Sequence, residues 1–227
     1  MSIRTLADHV VVAEVGLAAK PANLTFEQAA AVPVAGLTAL QGLRDHGRIR
    51  AGHKVLINGA AGGVGTFAVQ IAKSYGAEVT GVCSTRNVDM VRSIGAEDVV
   101  DYTEEDFTRT GQRYDLILDA VGNRSLSAYR RAITSGAALV LVGAAPGRWI
   151  APLAPFLKAF FVTPFSAHPI RTFLAKRSQS DLVILRELIE SAEVTPIVDR
   201  TYGLDEVPEA IRYLEEGHAR GKVAITI

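Results

Sequence analysis

The stretch that decides the fold is residues 55–74, which read VLINGAAGGVGTFAVQIAKS. It begins with a short run of aliphatic residues, passes through a glycine-rich turn and ends in a segment whose apolar positions recur with helical spacing. A continuous apolar run is typical of a strand that is buried on both faces. The stretch therefore predicts a strand, a tight turn and a helix in that order, which is the first unit of a parallel α/β sheet.

The same alternation continues as far as residue 142. Further buried strands are predicted at residues 79–82, 99–100, 116–118 and 138–142. Helices are predicted at residues 64–75, 86–94, 104–110 and 125–133. Because strands alternate with helices and crossovers are right-handed, the predicted fold class is α/β, a doubly wound parallel sheet of the Rossmann type.

The ends of the chain have a different texture. The N-terminal side predicts a strand at residues 5–15 and a short helix at 25–31, which Pro33 separates from a second helix at 37–44. Thr25 and Gln28 have the spacing of a capping box. The C-terminal side predicts one more strand at residues 160–162, then a helix at 181–191, a strand at 197–202, a helix at 208–216 and a strand at 223–227. We expect residues 34–171 to form the Rossmann domain and residues 1–33 with 172–227 to form a second, smaller β domain.

Composition excludes several classes of protein. The 227 residues carry 24 Lys and Arg against 24 Asp and Glu, so there is no basic field that would bind nucleic acid. No apolar run is long enough to cross a membrane, and the N-terminus resembles no export signal, so we expect a cytoplasmic protein. One cysteine and five histidines without metal-ligand spacing predict no metal site. No nucleophile elbow supports hydrolase chemistry.

The glycine-rich turn points to a dinucleotide. The first N–H groups of a helix have no partner within the helix and carry a partial positive charge, and glycines allow a pyrophosphate to approach them. Gly62, Gly63, Val64 and Gly65 are therefore candidate contacts, and a side chain at Gly63 is expected to project toward the pyrophosphate or to strain the turn. The alternative is a plain tight turn that binds nothing.

The end of the second strand indicates which dinucleotide. An NAD site usually places a carboxylate there to hold the ribose 2′-hydroxyl. Residues 82–87 read VCSTRN and contain no carboxylate. Ser84 can donate a hydrogen bond to a 2′-phosphate and Arg86 can form a bidentate pair with it, so NADP(H) is favoured over NAD(H). The alternative is that Arg86 is a solvated charge at the start of a helix.

At these residues the chain resembles a known family. The matching segments, in order, are residues 29–39 (AAAVPVAGLTA), 59–65, 95–96 (GA), 101–102 (DY), 119–122 (DAVG) and 221–223 (GKV). Together they resemble the medium-chain dehydrogenase/reductase superfamily, in its zinc-independent quinone oxidoreductase-like branch. Members of that branch reduce quinones and α,β-unsaturated carbonyls with a hydride from NADPH and no metal. They also carry a GroES-like catalytic domain at the N-terminus, and the resemblance implies that residues 1–33 and 172–227 are only its remnant.

The resemblance adds further contacts. It implies that Tyr102 lies against the adenosine 2′-phosphate and that the turn at Val121 and Gly122 passes the adenine ribose. It also implies nicotinamide contacts from Thr38, at the start of a helix under the cofactor, and from Val142 and Gly143. Each of these residues has an ordinary structural alternative, such as capping a strand or filling the core.

Two functions remain open from the sequence. One is an NADPH-dependent quinone or enone reductase that acts on a small-molecule substrate, and the other is an NADP(H)-binding fragment or sensor without turnover. The apolar residues 149–165 line the substrate cleft in the first interpretation, or pack against a sheet edge or the partner of a homodimer. No catalytic residue is assigned, because hydride transfer leaves the chemistry to the cofactor.

Overall fold

The structure is a computed structural model that describes residues 11–142 and 170–227. Six strands form the large sheet: β1 (Lys54–Asn58), β2 (Glu78–Cys83), β3 (Asp98–Asp101), β4 (Tyr114–Asp119), β5 (Ile133–Leu141) and β6 (Ile170–Thr172). Their order is β3-β2-β1-β4-β5-β6, and every neighbouring pair is parallel. The predicted doubly wound α/β fold is confirmed.

Helices connect these strands and continue beyond them. They are α1 (Phe26–Gln41), α2 (Gly63–Ser74), α3 (Val88–Ser93), α4 (Leu126–Ala132), α5 (Gln179–Glu190) and α6 (Val207–Glu215). Shorter helical turns cover Glu14–Gly16, Gly42–His46, Thr85–Asn87 and Leu204–Glu206. None of the helices that the structure describes is long and apolar enough to cross a membrane.

Buried side chains cover both faces of the large sheet. Val55 and Ile57 of β1 belong to an apolar cluster that includes residues of α1, α2 and α5. Leu56, which points to the opposite face, belongs to a second cluster with Phe107 and with Tyr129 of α4. Two buried faces explain why the strands read as continuous apolar runs instead of alternating ones.

The order of the strands creates a crevice beside β1. From β1 the chain winds to β2 and β3 on one side, and then returns to place β4 on the other side of β1. The connections after β1 and β4 therefore leave the sheet in opposite directions, so the carboxyl ends of these two strands border an opening. In parallel sheets of this kind, ligands bind at that opening.

A small second sheet lies at the C-terminal end of the chain. It consists of β7 (Val198–Gly203) and β8 (Lys222–Thr226), which pair in parallel. Gln70 of α2 connects it to the large sheet: its Nε2 donates to the Thr195 carbonyl (3.0 Å), and the Thr195 N–H donates to its Oε1 (2.8 Å). The Gly221 N–H also donates to the Ala61 carbonyl (2.8 Å). The start of β8 is thereby held against the glycine-rich turn.

The predicted break at Pro33 is wrong, because α1 runs through it as one helix. Pro33 has no N–H for the Ala29 carbonyl one turn earlier, which usually costs about 3 kcal/mol. The helix survives because residues after the proline, including Leu37, are buried in the core. Its N-terminus follows the prediction: Thr25 Oγ1 accepts from the Gln28 N–H (3.3 Å) and Gln28 Oε1 accepts from the Thr25 N–H (3.1 Å).

The helix predicted at residues 104–110 does not form. Asp106 Oδ1 accepts hydrogen bonds from the N–H (3.0 Å) and the hydroxyl (2.9 Å) of Thr108. Asp101 Oδ1 does the same for Thr103, at 2.9 and 2.7 Å. These local bonds satisfy backbone donors outside a helix and so compete with helix formation. Phe107, only 1% exposed, anchors the segment in the core.

Two predicted strands fall wholly or partly outside the residues that the structure describes. Residues 11–15 form no strand, whereas residues 5–10 and the strand predicted at 160–162 lie outside the described residues. Strand β6, which the sequence did not predict, pairs with residues 139–141 of β5. The division into residues 34–171 and two flanking pieces stays a prediction, although α1 crosses residue 33 and β6 includes residue 172.

Candidate functional site

A cleft of about 620 Å³ opens at the carboxyl ends of β1, β2 and β4. It lies at the crevice that the strand order creates. Its lining includes eight of the residues that the sequence predicts as cofactor contacts, namely Gly62, Gly63, Val64, Gly65, Ser84, Arg86, Tyr102 and Val121. Residues that are far apart in the sequence therefore meet at one place, as a shared binding site requires.

The glycines of the turn have distinct structural roles. Gly59 has a φ of +84°, which an L side chain rarely adopts, and it makes the turn at the end of β1. A Cβ on Gly65 would lie 2.0 Å from the Gly59 carbonyl oxygen, so only glycine allows α2 to pack this close to the turn. Gly62 is extended and precedes α2, and a Cβ there would meet only the Gly59 oxygen at 3.4 Å. This backbone leaves the start of α2 open to the cleft.

The surroundings of Gly63 are formed by the C-terminal segment, and the expectation that a side chain there would project toward a pyrophosphate stays a prediction. A Cβ on Gly63 would lie 2.6 Å from Lys222 Cδ and 3.2 Å from the Gly221 carbonyl oxygen. A side chain there would therefore meet the Lys222 side chain and the Gly221 backbone, which belong to the C-terminal segment. The backbone of Gly63 still begins α2, and no side chain caps the N-terminus of that helix within the part of the chain that the structure describes.

The end of β2 supplies polar groups to one side of the cleft. Arg86 Nη2 donates to the His218 carbonyl (2.8 Å), which ties this side of the cleft to the segment before β8. Asn87 Nδ2 donates to Ser84 Oγ (3.2 Å) and leaves the Ser84 proton free to donate elsewhere. Tyr102 follows β3, is 54% exposed and borders the same side.

Asn87 is the one cleft residue that carries an unsatisfied buried atom among the side chains described. It is 7% exposed, and its Oδ1 has no hydrogen-bond partner. An orphaned buried acceptor is costly, on the order of 1–3 kcal/mol, unless something pairs with it. The sequence analysis passed over this residue, because nothing in the local pattern distinguishes it from a helix-start polar residue.

A buried carboxylate fixes the turn after β4. Asp119 is fully buried, and its Oδ1 accepts from the N–H groups of Val121 (2.8 Å) and Gly122 (3.0 Å) and from Asn58 Nδ2 (2.8 Å). Tyr129 donates its hydroxyl to the other oxygen. Burial, together with the Asp119 charge, raises the pKa of the Tyr129 hydroxyl far above its ordinary value, so the hydroxyl stays a donor. The turn is thus rigid beside the cleft.

The single cysteine is a poor nucleophile. Cys83 ends β2, is 3% exposed and borders the cleft. Burial, helped by the Asp101 charge, raises the pKa of its thiol to about 11. The thiol is therefore protonated at neutral pH.

The residues predicted at the nicotinamide end are less well placed. The prediction that Thr38 starts a helix is wrong. Thr38 lies near the end of α1, and its hydroxyl donates to the Val34 carbonyl (2.7 Å). Val142 follows β5, and its N–H donates to the Asp119 carbonyl (2.9 Å). Neither of them lines the cleft, nor does Gly122. Gly143 and residues 149–165 lie outside the described residues, so these contacts stay predictions.

The C-terminal segment is the part of the site that the sequence analysis missed. Gly217, His218, Ala219 and Lys222 line the cleft opposite β2. Gly221 has a φ of +82°, and its Cβ would lie 2.4 Å from the Ile197 carbonyl oxygen, so the chain can pass here only as glycine. Gly221 and Lys222 were noted only as part of a family motif, and no local signal placed them beside the glycine-rich turn.

In the two described ranges, no three His, Cys, Asp or Glu side chains come together in a way that could hold a metal ion.

The comparison with protein families agrees with this geometry. The model of a family described as zinc-binding dehydrogenase matches residues 94–225, which is more than half of the chain. The chain belongs to this family. The resemblance to the medium-chain dehydrogenase/reductase superfamily is thereby confirmed. The matched segment includes Tyr102, the Asp119 turn and the C-terminal strands.

Individual relatives cover nearly the whole chain. It is 34% identical over 243 residues to the mouse mitochondrial NAD(P)H oxidoreductase RTN4IP1, covering 98% of this chain and 61% of the relative. It is 35% identical to the chloroplastic NADPH-dependent alkenal/one oxidoreductase of Arabidopsis thaliana, covering 97% of this chain and 52% of that protein. The structure superposes on a quinone oxidoreductase from Coxiella burnetii with a TM-score of 0.80 at 31% identity, covering 92% of this chain and 63% of that one. The chain thus spans between half and two thirds of the length of these proteins.

Proposed function

We propose that this protein binds NADP(H) in the cleft and is an NADPH-dependent oxidoreductase that reduces quinones or α,β-unsaturated carbonyls. The observation that supports this most is the composition of the cleft. It joins the uncapped N-terminus of α2, at Gly62, to a cationic side at Arg86. Both features favour phosphate groups, and they lie at the strand-order crevice where dinucleotides bind.

The choice of NADP(H) over NAD(H) rests on the residues after β2. Arg86 and Ser84 occupy the place where a carboxylate would hold a ribose 2′-hydroxyl. Because Asn87 donates to the Ser84 oxygen, the Ser84 proton is available to a 2′-phosphate. Arg86 is now bonded to a backbone carbonyl, and a phosphate would offer it a stronger, charge-assisted partner.

The residues present fit a dinucleotide in shape as well as charge. Gly62 has no side chain to cover the start of α2, and Asn87, whose Oδ1 has no hydrogen-bond partner, also lines the cleft. When bound, the nicotinamide ring supplies the hydride. The chain fixes the turn after β4 through Asp119, which accepts hydrogen bonds from the N–H groups of Val121 and Gly122. The group that stabilises the developing oxyanion stays unassigned.

We also propose that the reaction needs no zinc, although the family description names zinc. Zinc dehydrogenases coordinate their metal with cysteine and histidine side chains. This chain has one cysteine, Cys83, and its thiol is buried with a raised pKa. The donor set of the described residues does not fit such a site. Addition of zinc or of a chelator is therefore expected to leave NADPH binding unchanged.

The substrate class comes from the relatives and is therefore a proposal for this chain. Their names specify an alkenal/one oxidoreductase and a quinone oxidoreductase.

A second candidate function is NADP(H) binding without turnover. It is favoured because the described residues singled out in the cleft are candidate cofactor contacts, and none of them is assigned to the substrate. A homodimer, the absence of nucleic-acid partners and a cytoplasmic location also stay predictions. The relatives' names include mitochondrial and chloroplastic proteins.

Stopped-flow measurement of NADPH absorbance tests the proposal. The 227-residue chain is mixed with NADPH alone and with 9,10-phenanthrenequinone or a simple enone. Hydride transfer needs the donor and acceptor atoms about 3–3.5 Å apart with water excluded. Because no described residue is assigned to holding the substrate, we expect tight NADPH binding with slow oxidation by the acceptor. Brisk multiple turnover would establish the reductase and reject the binding-only function. Failure to bind NADPH at all would overturn both.

A further inference from the structure

Lys222 is a charged residue of the cleft that the proposed function has not yet used. It is the first residue of β8, and its side chain runs along the start of α2. Its Nζ lies 3.6 Å from the position that a Cβ on Gly63 would occupy, and its Cδ lies 2.6 Å from it. The ammonium group is therefore beside the first turn of that helix, inside the cleft.

The charge of Lys222 has no counter-charge nearby. In the described part of the chain, the ion pairs with N···O distances within 4.0 Å do not include this residue. Partial burial lowers the pKa of its ammonium below the ordinary 10.5, and no carboxylate offsets the effect. The N-terminus of α2, whose N–H groups also carry partial positive charge, lies against it. Two positive groups side by side are unfavourable unless an anion lies between them.

The position of this pair matches one part of a dinucleotide. The N-terminus of the helix after the first strand is where a pyrophosphate lies in this fold. Arg86, in contrast, lies at the end of β2, where the adenosine ribose lies. The hydrogen bond from Arg86 to the His218 carbonyl holds the C-terminal segment near Arg86. Lys222 lies four residues further along that segment.

We propose that Lys222 binds the pyrophosphate of the dinucleotide, so that the C-terminal segment contributes a cation to the phosphate site. This inference rests on the proposed function, because it needs a dinucleotide in the cleft. It assigns separate phosphates to two cations: Arg86 reads the 2′-phosphate, and Lys222 holds the diphosphate common to NADPH and NADH. Lys222 thus determines affinity for both cofactors but does not discriminate between them.

Calorimetric titration of variants with four ligands tests the assignment. The ligands are NADPH, NADH, ADP-ribose and adenosine 2′-monophosphate. Loss of a charge-assisted contact corresponds to roughly a 10-fold or greater loss of affinity. Lys222→Met is expected to weaken NADPH, NADH and ADP-ribose to this extent and to leave adenosine 2′-monophosphate unchanged. Arg86→Ala is expected to give the opposite pattern, weakening only NADPH and adenosine 2′-monophosphate.

The matched control is Lys54→Met, since Lys54 is an exposed lysine at the amino end of β1, at the opposite edge of the sheet. It is expected to leave all four affinities unchanged. If the parent protein binds none of the ligands, the proposed function fails. If the parent binds and Lys222→Met binds all four equally well, only the assignment of Lys222 is wrong.

A measurement that keeps a lysine at position 222 covers the case in which Lys222→Met does not unfold cooperatively. Lysines are dimethylated with ¹³C, and the Lys222 resonance is identified by its loss in Lys222→Arg. ADP-ribose is expected to shift this resonance and adenosine 2′-monophosphate to leave it in place. A Lys222 resonance that ignores saturating ADP-ribose would contradict the proposal.

Discussion

Gly62 and Gly65 lie three residues apart, and a methyl group would meet very different surroundings at each. At Gly65 it would lie 2.0 Å from the Gly59 carbonyl oxygen, which is backbone and cannot move without opening the turn. At Gly62 it would lie 3.4 Å from the same oxygen, in ordinary extended backbone. The fold therefore requires glycine at position 65, whereas it leaves room for a methyl group on Gly62, which lines the cleft.

Alanine substitutions separate these two requirements. Gly65→Ala is expected to lower the free energy of unfolding by roughly 1–3 kcal/mol or more, as overpacking does, and to weaken both cofactors. Gly62→Ala is expected to keep the stability of the parent protein and still weaken NADPH and NADH alike, because Gly62 lines the cleft at the start of α2, where we propose that the pyrophosphate binds. Urea unfolding and fluorescence titration measure both effects. Normal cofactor binding by Gly62→Ala would place the pyrophosphate elsewhere.

Arg86 tests the choice of cofactor. A charge-assisted hydrogen bond contributes about 1.5–3 kcal/mol, so Arg86→Ala is expected to weaken NADPH by roughly 10- to 150-fold. The affinity for NADH should hardly change, because NADH has no 2′-phosphate. Arg86→Lys, which keeps the charge but not the planar fork, should fall between the two. Fluorescence titration of both cofactors decides it, and equal affinities in the parent protein would sink the assignment.

At the scale of elements, local patterns predicted most of the structure. β1 and α2 were predicted to within a residue at each end, since buried strands and amphipathic helices each leave a periodic signal. The failures occurred where a distant or competing contact overrides that signal. Core burial on both sides of Pro33 keeps α1 intact, and the bonds from Asp106 to Thr108 prevent a helix that the apolar spacing favours.

The same reasoning explains which parts of the site could be predicted. Ser84 and Arg86 directly follow a predicted strand, so their place beside the glycine-rich turn follows from the parallel sheet. Lys222 and His218 reach the cleft through the packing of the small sheet, which local sequence patterns do not predict. Asn87 lies next to Arg86, but its orphaned oxygen is a property of packing alone.

The contact between α1 and α5 makes stability depend on acid. Asp181 of α5 accepts from Gln41 Nε2 (2.8 Å) and from Arg44 Nη1 (2.8 Å). Burial raises the pKa of the Asp181 carboxyl, but hydrogen bonds from Arg44 and Gln41 outweigh it and hold the pKa below the ordinary 3.8. A carboxyl whose pKa is lower in the folded state than in the unfolded state stabilises the protein when the pH is above the unfolded-state pKa. This stabilisation is lost as the pH falls through the folded-state pKa.

Asp181→Asn is therefore expected to cost roughly 1–3 kcal/mol of unfolding free energy at neutral pH. The difference from the parent protein should shrink below the ordinary pKa of 3.8 as the parent loses its charge. Asp45→Asn is the control, because Asp45 also pairs with Arg44 but its side chain is 44% exposed, and exposed pairs contribute little. Urea unfolding from neutral pH to about pH 3 gives both curves. A difference that is constant with pH would contradict the role of Asp181.

At the scale of the whole molecule, two buried glutamines join distant segments in the same way. Gln70 of α2 forms two hydrogen bonds with the backbone of Thr195, at 3.0 and 2.8 Å. Gln41 of α1 forms two with the backbone of Lys176, both 2.9 Å. Of these two glutamines, only Gln70 bonds to the segment that continues into β7 and β8. It therefore supports the part of the chain that carries Lys222 to the cleft.

This pairing allows stability and binding to be separated. Gln70→Met and Gln41→Met each keep roughly the size of the side chain and remove two hydrogen bonds to the backbone of a distant segment, at about 0.5–1.5 kcal/mol for each bond. Gln41→Met also removes the hydrogen bond to Asp181. Both variants are expected to unfold at lower urea concentration. Only Gln70→Met should also weaken NADPH and NADH together, since it removes one of the contacts that hold the C-terminal segment near the glycine-rich turn, while the bond from the Gly221 N–H to the Ala61 carbonyl remains. Titration under conditions where both variants are folded provides the measurement. If both variants lost affinity equally, binding would depend on stability in general, and the C-terminal segment would have no special part in holding the cofactor.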